Sequence, residues 1–341
     1  MSSLRIVVLM HKDLVPPDTL DGVAEKEMMN WKTEFDVCDT LQMIGHEIRK
    51  IGLQDDLSLL RDEIVNWEPH IVFNLLEEFH SVSLYDQHVV GYLELMKQPY
   101  TGCNPRGLLL AHDKYLSKQI LTYHRIPTPH FAVFPRGKKI RRPKRLQFPL
   151  LVKSATEEAS FGISQASIVS SDEKLIERIE FIHDQIKTDA LVEEYVEGRE
   201  FYVGVIGNHR LQTFPVWELQ FTKMPDDVPH IATRKVKWDL AYQERHGIIT
   251  NAADDLPPGL ADKMGRISKR IYRALHLSGY ARMDFRVSKD NRIYVLEANP
   301  NPNLSYGEDF AESAEAGGIT YEELMQRIVN SGLRYKAPWQ A

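Results

Sequence analysis

Side chains that carry oxygen atoms end an apolar, strand-like stretch near the C-terminus. In "RIYVLEANPNPNLS" the apolar residues give way to Glu297, Asn299 and two prolines. The stretch before it, "YARMDFRVSK", is a second strand candidate, and the two strands are expected to join at Asp290 and Asn291, residue types that tolerate the positive φ of tight hairpin turns. A hairpin turning there would place Asp284 directly opposite Glu297, and Arg282 opposite Asn299.

Two carboxylates that face each other across a strand pair repel, and the pair destabilises a sheet unless a cation compensates. Asp284, Glu297 and Asn299 offer only oxygen ligands, which suits Mg²⁺, with Mn²⁺ as an alternative. A Mg²⁺ ion held by few protein oxygens usually also binds phosphate. Arg282 beside them could stabilise charge that develops on a substrate. These residues therefore predict a magnesium and phosphate site, and the alternative is a solvent-facing strand with scattered charges.

The same register collects apolar residues on the opposite face of the hairpin. The pairs it predicts there are Met283 with Ala298, Phe285 with Leu296, and Val287 with Tyr294. Because side chains alternate between the two faces of a strand, we expect this face to lie on the core.

Length and composition favour a globular protein whose partner is a small molecule. The 341 residues are 43% hydrophobic, enough to bury the cores of about two or three domains. A formal charge of −6 gives no strong field for nucleic acid or an anionic membrane. No apolar stretch approaches the roughly 18 residues of a membrane span, and the N-terminal apolar run is too short for a signal peptide. Cys38 and Cys103 form neither a metal motif nor a disulfide framework, so a reducing cytoplasm is the expected location.

The first part of the chain alternates strand-like and helix-like stretches. "LRIVVLM" and "HIVFNLL" predict strands, whereas "EFDVCDTLQMIGHEI" and "LYDQHVVGYLELMKQ" have helical spacing. Such alternation implies an open, largely parallel sheet. "AHDKYLSKQILTYHRI" then predicts a helix capped by Asp113, and "RGKKIRRPKRLQ" predicts a solvated basic loop.

The second part combines strands with two stretches that could cover a ligand. "FPLLVKS" and "DALVEEYV" predict strands that flank a helix at residues 171–187, and a hairpin is expected to turn at Gly207 and Asn208. The loop "ATEEASFGIS" is built largely of small residues, whose backbone amides can cradle phosphate. Residues 220–247 have no clean period, and we expect a structureless, mobile lid there.

Several motifs in this order resemble those of the D-alanine-D-alanine ligase family of the ATP-grasp superfamily, over residues 91–333. They are "YLELMKQPYTG", "DKYLSKQIL", "PLLVKS", "EEASFGIS", "LVEEYVEGREFYVGVIG", the hairpin itself and "GGITYEELMQRIV". The resemblance implies an α/β chain in which an N-terminal open parallel-sheet domain, 1–112, precedes a two-lobed α+β ATP-grasp fold. The central lobe would be 113–190 and the C-terminal lobe 191–341. It also implies a homodimer formed through the N-terminal domain.

The resemblance assigns a role to each matching position. The implied nucleotide contacts are phosphate for Lys114, Lys153 and Ser160, adenine for Glu193, Glu194, Tyr195 and Val196, and ribose for Glu200. The implied magnesium ligands are Asp284, Glu297 and Asn299, and the implied catalytic residues are Arg282, Ser160 and Lys237. The chemistry agrees, because lysine is a compact charge suited to phosphate and a carboxylate accepts from ribose hydroxyls.

The resemblance further implies a reaction between a carboxylate and an amine, both small molecules. The carboxylate would attack the γ-phosphate of ATP to give an acyl phosphate, and the amine would then displace phosphate to form an amide. Two alternatives remain open. The chain could bind nucleotide without ligase activity, or it could act on a peptide or protein terminus.

Three departures from the family pattern predict substrates other than two molecules of D-alanine. "LMHKDLVPPDTLDG" lacks the family's glycine-rich loop and its glutamate. Trp238 follows Lys237 where the family has a tyrosine, and Glu308 stands where the family has a serine that contacts the second substrate's carboxylate. A second negative charge there would be costly in a closed site. An ordinary D-alanine-D-alanine ligase, in which Glu308 simply opens a helix, is the alternative.

Overall fold

The computed structural model describes residues 3–19, 22–23, 25–156, 162–225 and 228–340. Its strands are β1 (Arg5–His11), β2 (Glu47–Leu53), β3 (Ile71–Asn74), β4 (Phe131–Phe134), β5 (Leu150–Ser154), β6 (Ile168–Val169), β7 (Ala190–Glu194), β8 (Gly198–Ile206), β9 (Gln212–Thr213), β10 (Trp217–Phe221), β11 (Ile248–Ala252), β12 (Tyr280–Ser288) and β13 (Ile293–Asn299). Its α-helices are α1 (Glu25–Met28), α2 (Lys32–Met43), α3 (Ser58–Trp67), α4 (Asp86–Leu95), α5 (Pro105–His112), α6 (Lys114–Tyr123), α7 (Asp172–Phe181), α8 (Arg234–Trp238), α9 (Leu240–His246), α10 (Leu260–Ala274), α11 (Asp309–Ala316) and α12 (Tyr321–Arg334). Among the described helices, none is long and apolar enough to cross a membrane.

The first three strands form a parallel sheet in the order β2, β1, β3. β1 lies in the centre, and its residues from Ile6 to Met10 are shielded from solvent. Apolar residues of α2 and α12 cover one face, and those of α3 and α4 cover the other. The predicted parallel sheet is confirmed, and α12 brings a late part of the chain back onto it.

β2 occupies residues that the sequence analysis assigned partly to a helix. The predicted helix ran through "GHEI", but α2 ends at Met43. Gly45 follows with a φ of 95°, and the amide of His46 donates to the carbonyl of Leu41 at 3.0 Å. Glycine adopts this left-handed conformation without the strain of a Cβ atom, so it ends the helix. The chain is then extended from Glu47 onward and pairs with β1.

The remaining strands form two antiparallel sheets. The larger has the order β11, β10, β8, β12, β13, with β9 paired to β8, and the smaller has the order β4, β7, β5, β6. Apolar residues of α10 pack on the larger sheet and those of α7 on the smaller one. Most strands of the smaller sheet come from the predicted central lobe and the larger sheet comes from the predicted C-terminal lobe, but β7 of the smaller sheet lies almost entirely beyond the predicted limit at 190. The residue limits of the domains stay predictions.

The hairpin of β12 and β13 has the predicted register only at its open end. Asp284 pairs with Glu297, and Arg282 pairs with Asn299, as predicted. A β-bulge next to Asp284 then shifts the register by one residue. Two predicted pairs are therefore wrong, Phe285 with Leu296 and Val287 with Tyr294. The observed pairs are Phe285 with Val295, Arg286 with Tyr294 and Val287 with Ile293.

The cause of the shift is the turn. The amide of Asn291 donates to the carbonyl of Ser288 at 2.8 Å, the amide of Ser288 donates to the carbonyl of Arg292 at 3.0 Å, and Asn291 has a φ of 62°. The turn therefore contains three residues, whereas the prediction assumed two. The extra residue is matched by the bulge at Leu296, which leaves this residue outside the pairing and restores the predicted register at the charged end.

Residues 220–247 are more regular than predicted, so the expectation of a structureless stretch is wrong. They contain the short helices α8 and α9. The side chain of Thr233 caps α8 by accepting from the amide of Val236 at 3.3 Å, and Asp239 caps α9 by accepting from Tyr242 at 2.9 Å. Helices of 5 and 7 residues are too short for their period to be recognised in a sequence.

Candidate functional site

A cleft lies between the two antiparallel sheets, with about 660 Å³ of space when the adjoining open solvent is included. Apolar side chains such as Leu151 of β5 and Leu296 of β13 line it from opposite sheets. Its polar lining residues are Lys153, Glu193, Glu194, Glu200, Lys237, Asp284, Arg286 and Glu297. An apolar cleft with a few convergent polar groups is the usual form of a small-molecule site. The structure thus brings together residues predicted from distant parts of the sequence, and it adds Arg286.

One wall of the cleft holds a buried carboxylate between two lysines. Glu193 of β7 is 1% exposed and pairs with Lys153 of β5 at 2.7 Å and with Lys118 of α6. Burial by itself would raise the pKa of Glu193, but the two lysines outweigh it and lower that pKa. Lys118 also donates to the carbonyl of Leu296, the bulge residue, at 3.0 Å. This lysine therefore joins α6 to both sheets.

Lys118 is a site residue that the sequence analysis missed. It lies one helical turn after Lys114, so both lysines project from the same face of α6. Lys114 lies 3.7 Å from Glu297, on the other sheet. Both lysines are buried, and a buried lysine requires a partner. The signal in the sequence was this spacing of two lysines on a helix whose other side is apolar.

The opposed carboxylates of Asp284 and Glu297 differ in their electrostatic surroundings. Burial raises the pKa of Asp284 to about 6, although Arg282 acts in the opposite direction. Burial would also raise the pKa of Glu297, but the surrounding lysines, Lys114 foremost, lower it to about 2. The hairpin therefore presents one firmly ionised carboxylate beside one that is held ionised by its arginine.

Arg282 is fixed between two acids and an aromatic ring. Its guanidinium makes two hydrogen bonds to Asp284, at 2.8 and 2.9 Å, and lies 3.4 Å from a carboxylate oxygen of Asp309. The ring of Tyr202 lies beneath it, with its centroid 4.4 Å from the guanidinium carbon. A cation held in this way is preorganised to face negative charge.

Asn299, the third predicted metal ligand, lies opposite Arg282 at the end of β13. Its side-chain oxygen accepts from the amide of Asn301 at 2.8 Å, and the side chain of Asn301 donates to the buried Asp86 at 3.3 Å. These contacts fix the chain where the prolines end the ladder.

The predicted ligand set suits Mg²⁺ by its chemistry. Across the described residues, no group of three or more His, Cys, Asp and Glu side chains is arranged to hold a metal. The predicted set instead combines the two opposed carboxylates of Asp284 and Glu297 with the amide oxygen of Asn299, all hard oxygen donors. Each oxygen of Asp284 keeps a further lone pair beyond its bond to Arg282. These residues fit the ion, and the metal role stays a prediction.

Glu200, the predicted ribose acid, is held by two side chains of the larger sheet. Its carboxylate accepts from the hydroxyl of Tyr202 at 3.1 Å and from Arg286 at 2.8 Å. Arg286 also donates to the carbonyls of Gly198 and His230, each at 2.9 Å. The register of β8 and β12 places Arg286 directly opposite Glu200. Arg286 was not among the predicted residues, although its spacing of two from Asp284 puts both on one face of β12.

The residues predicted to contact adenine span the end of β7: Glu193 and Glu194 are its last two residues, Tyr195 and Val196 follow it, and all four line the cleft. Glu194 pairs with His130 at 3.2 Å and accepts from the amide of Gln147 at 2.9 Å. The amide of Tyr195 donates to a carbonyl of the loop before β5 at 2.9 Å. This stretch is therefore tied to the smaller sheet on one side and continues into β8 of the larger sheet on the other.

Ser160 and Lys237 were predicted in the two stretches that could cover a ligand. Ser160, with the rest of residues 157–161, lies outside the described residues. Lys237 of α8 lines the cleft, while the side chain of Trp238 lies outside the described part of the chain.

Glu308 lies near the charged end of the hairpin. It is the residue that precedes the first turn of α11, and its side chain makes no capping hydrogen bond. Partial burial and the neighbouring Asp309 raise the pKa of Glu308, whereas Lys32 and Arg282 act in the opposite direction. A helix does begin directly after Glu308, and the residue also belongs to the charge cluster around Arg282.

The carboxyl end of the N-terminal sheet carries a further charged cluster. His11 ends β1, and its ring nitrogens lie 3.7 Å from Glu78, which follows β3, and 3.7 Å from Asp13. Ligands of parallel sheets bind at this edge. The departure of "LMHKDLVPPDTLDG" from the family loop was predicted, but no role was predicted for His11 or Glu78.

Comparisons with known proteins show which proteins the chain is similar to. Residues 120–330 match the family model described as D-ala D-ala ligase C-terminus. The chain is 30% identical to the D-alanine-D-alanine ligase of Carboxydothermus hydrogenoformans, over 92% of this chain and 96% of that protein. It is also 30% identical to an uncharacterized protein of Sinorhizobium fredii, over 76% of this chain and 74% of that protein. The crystal structure of the Bacillus anthracis D-alanine-D-alanine ligase complexed with ATP superposes with a TM-score of 0.75 at 25% identity, covering 97% of this chain and 98% of that chain.

Proposed function

Because the chain belongs to the D-alanine-D-alanine ligase family of ATP-grasp enzymes, we propose that it forms an amide through an acyl phosphate intermediate. Membership of this family makes the chain an ATP-dependent carbon–nitrogen ligase; the intermediate, the metal and the residue roles are the proposal. The observation that carries it is the directly opposed pair of Asp284 and Glu297 beside a cleft that Lys153 and Lys237 also line.

The proposed nucleotide site is the cleft between the two sheets. Glu193, Glu194, Tyr195 and Val196 would contact adenine, Glu200 would hold the ribose, and Lys114 and Lys153 would meet the phosphates. Two contacts support this order along the cleft. Lys114 approaches Glu297 from α6, and Glu200 lies directly opposite Arg286, two residues beyond Asp284 on β12. The phosphate end would therefore adjoin the opposed carboxylates.

We propose that Asp284, Glu297 and Asn299 hold Mg²⁺, with Mn²⁺ as an alternative. When bound, the ion would supply positive charge that neutralises the negative charge of the transferring phosphoryl group. The lysines of the cleft add positive charge from the opposite side, which the low pKa of Glu297 reflects.

The chain's own residues orient the reactants and stabilise charge, because the substrates supply the nucleophiles. The carboxylate oxygen of one substrate attacks the γ-phosphorus as ADP leaves, with Lys114 and Lys153 facing the phosphates. The amine of the other substrate then attacks the acyl carbon, loses a proton and displaces phosphate. Arg282, held by Asp284 and Tyr202, would stabilise the oxyanion of this tetrahedral intermediate.

We infer that the amine substrate is not D-alanine with its carboxylate near α11. Glu308 and Asp309 lie beside Arg282 at that point, and a third carboxylate there would meet like charges. An amine without a free carboxylate, or one with a cationic group, fits this charge pattern. The first substrate would lie toward the carboxyl edge of the N-terminal sheet, where His11 and Glu78 replace the family loop.

The test is a screen of D-alanine, L-amino acids, dipeptides and amines, singly and in pairs, with ATP and Mg²⁺. ADP release and the mass of the amide product are measured. We expect one pair to exceed D-alanine alone. If D-alanine alone matches the best pair, the inference about substrates is wrong, and if no combination yields ADP and an amide, the proposed reaction is wrong.

A substitution at α11 tests the substrate inference directly. Glu308→Ser should improve the use of amines that carry a carboxylate by about tenfold, because one like charge is removed. Glu312→Ser, in the first turn of the same helix, is the matched control and should leave the preference unchanged. An unchanged preference in Glu308→Ser would show that this residue does not determine which amine substrate is used.

We also propose a homodimer formed through the N-terminal domain. Leu59 and Val65 of α3 and Leu95 of α4 are 58%, 58% and 82% exposed, on the two helices that cover the same face of the parallel sheet. Exposed apolar residues on neighbouring helices are typical of contact surfaces. Light scattering should give twice the chain mass, and a monomer at micromolar concentration would contradict this proposal.

A further inference from the structure

Arg286 is a buried cation at the end of the cleft away from the opposed carboxylates. It is 4% exposed and shares one face of β12 with Arg282 and Asp284. It forms an ion pair with Glu200, and only 5% of each of the two side chains is exposed. A buried guanidinium requires several hydrogen-bond acceptors, so its contacts indicate what it holds in place.

Three separate segments meet at this guanidinium. One amino group donates to the carboxylate of Glu200 at 2.8 Å, and the other donates to the carbonyls of Gly198 and His230, each at 2.9 Å. Gly198 begins β8, Glu200 is the proposed ribose acid, and His230 lies in residues 228–233, which lead into α8. One side chain therefore links the larger sheet with the segment that carries Lys237.

The segment 228–233 has contacts on both sides of the cleft. The ring of His230 stacks on Phe221 of β10, with centroids 4.9 Å apart and planes at 19°. The carbonyl of Pro229 accepts from the side chain of Gln165, next to the smaller sheet, at 3.1 Å. Ile231, from the same segment, lines the cleft. Residues 228–233 thus cross from one sheet to the other, and Arg286 is their buried anchor.

The same guanidinium fixes the direction of the Glu200 carboxylate. One carboxylate oxygen accepts from Arg286 and the other from the hydroxyl of Tyr202, at 3.1 Å. Each oxygen keeps a lone pair for a further donor. A carboxylate that is ionised and oriented in advance binds hydroxyl groups without the cost of ordering a free side chain.

We propose that Arg286 is a positioning residue that orients Glu200 toward the ribose hydroxyls and anchors residues 228–233 across the cleft. Arg286 thereby links recognition of the sugar to the placement of residues 228–233. This inference rests on the proposed function only in taking the ligand to be ATP. The anchoring half does not depend on the ligand.

Two substitutions separate the two roles. Arg286→Met removes the charge and all three hydrogen bonds. Arg286→Lys keeps a cation beside Glu200, but a lysine lacks the planar fork that reaches a carboxylate and two carbonyls together. Arg292→Met is the matched control, because Arg292 lies in the same hairpin, is largely exposed and pairs with Asp290.

Sugar recognition is measured by calorimetry with ATP and with 2′,3′-dideoxy-ATP, which lacks both ribose hydroxyls. We expect the preference of the wild-type protein for ATP to fall about tenfold in Arg286→Met and to be largely kept in Arg286→Lys, because a hydrogen bond to a charged group contributes about this much. An unchanged preference in Arg286→Met overturns the sugar half of the inference. Absence of nucleotide binding by the wild-type protein would overturn the proposed function as well.

Anchoring is measured by hydrogen exchange of residues 228–233 without nucleotide, so that this result does not depend on the reaction. Exchange should become at least about tenfold faster in both Arg286 variants and stay unchanged in Arg292→Met. Should Arg286→Met fail to fold, Arg286→Lys decides alone. If residues 228–233 exchange at the wild-type rate in Arg286→Lys, other contacts hold them, and the anchoring role is refuted.

Discussion

Replacing Glu193 with Gln should destabilise the protein strongly, and removing Lys118 in addition should cost no further stability. Glu193 is buried between Lys153, at 2.7 Å, and Lys118. In Glu193→Gln the two ammonium groups would face a neutral amide and repel each other. In the double variant Lys118→Met/Glu193→Gln only one of these two cations remains.

The magnitude follows from burial, because all three residues are at most 6% exposed. Removing one partner of a buried ion pair costs about 3–5 kcal/mol, chiefly through the charge left unpaired. We expect about 4 kcal/mol for Glu193→Gln. Lys118→Met leaves Glu193 with Lys153 and removes the donor to Leu296, so about 2 kcal/mol is expected. The double variant should lose about 2 kcal/mol less than the sum of the two single losses.

The assay is urea unfolding followed by circular dichroism, with Glu194→Gln as control. Glu194 is adjacent and pairs with the exposed His130, so its replacement should cost less than about 1 kcal/mol. Additive losses in the two single variants and the double variant, within about 0.5 kcal/mol, would refute the reasoning. They would mean that the buried charges do not depend on each other.

Three further outcomes are expected. Glu297→Gln should lower ADP release at least about a hundredfold while circular dichroism stays unchanged, since it removes the firmly ionised carboxylate of the proposed metal site; full activity would exclude that role. Limited proteolysis within residues 220–247 should slow when a non-hydrolysable ATP analogue and substrate are added, and equal cleavage under saturation would contradict a lid. Burial raises the pKa of Glu34 from 4.5 to about 7, so the folded state binds this proton more tightly than the unfolded chain does. The resulting stability is fully present below pH 4.5, and about 3 kcal/mol of it is lost as the pH rises toward 7. The denaturant midpoint of unfolding should therefore fall over this pH window in the wild-type protein and fall less in Glu34→Gln. An equal fall of the midpoint in both proteins would contradict this prediction.

The pairing at the charged end of the hairpin was predicted correctly, although the turn was not. The predicted pairing of Asp284 with Glu297 assumed a two-residue turn, and the bulge offsets the third turn residue before this end is reached. The apolar end could not be placed, since the sequence does not distinguish a two-residue turn from a three-residue turn with Asn291 in a left-handed conformation. The bulge at Leu296 compensates for this difference, and it also directs a carbonyl toward Lys118.

Residues whose importance comes from tertiary contacts escaped prediction. Lys118 and Arg286 look like ordinary charged residues of a helix and a strand until the two sheets are brought together around them. β2 was missed because "EIRKIGL" mixes charges with apolar residues, as an edge strand of a small sheet can. The helices α3, α5 and α10 were also not predicted. Nucleotide-binding residues, by contrast, follow one another in ordered motifs, which a sequence alone displays.

The return of α12 to the N-terminal sheet has a consequence for folding during synthesis. Ile6 and Val8 of β1 are buried against apolar residues of α12, yet about 250 residues separate β3 from that helix. At about 5–20 residues per second, a ribosome needs roughly 12–50 seconds to make that intervening chain. During this interval one face of the first sheet lacks its last cover. The nascent chain would therefore expose apolar surface to chaperones until α12 emerges, and the N-terminal sheet would be among the first elements begun and the last completed.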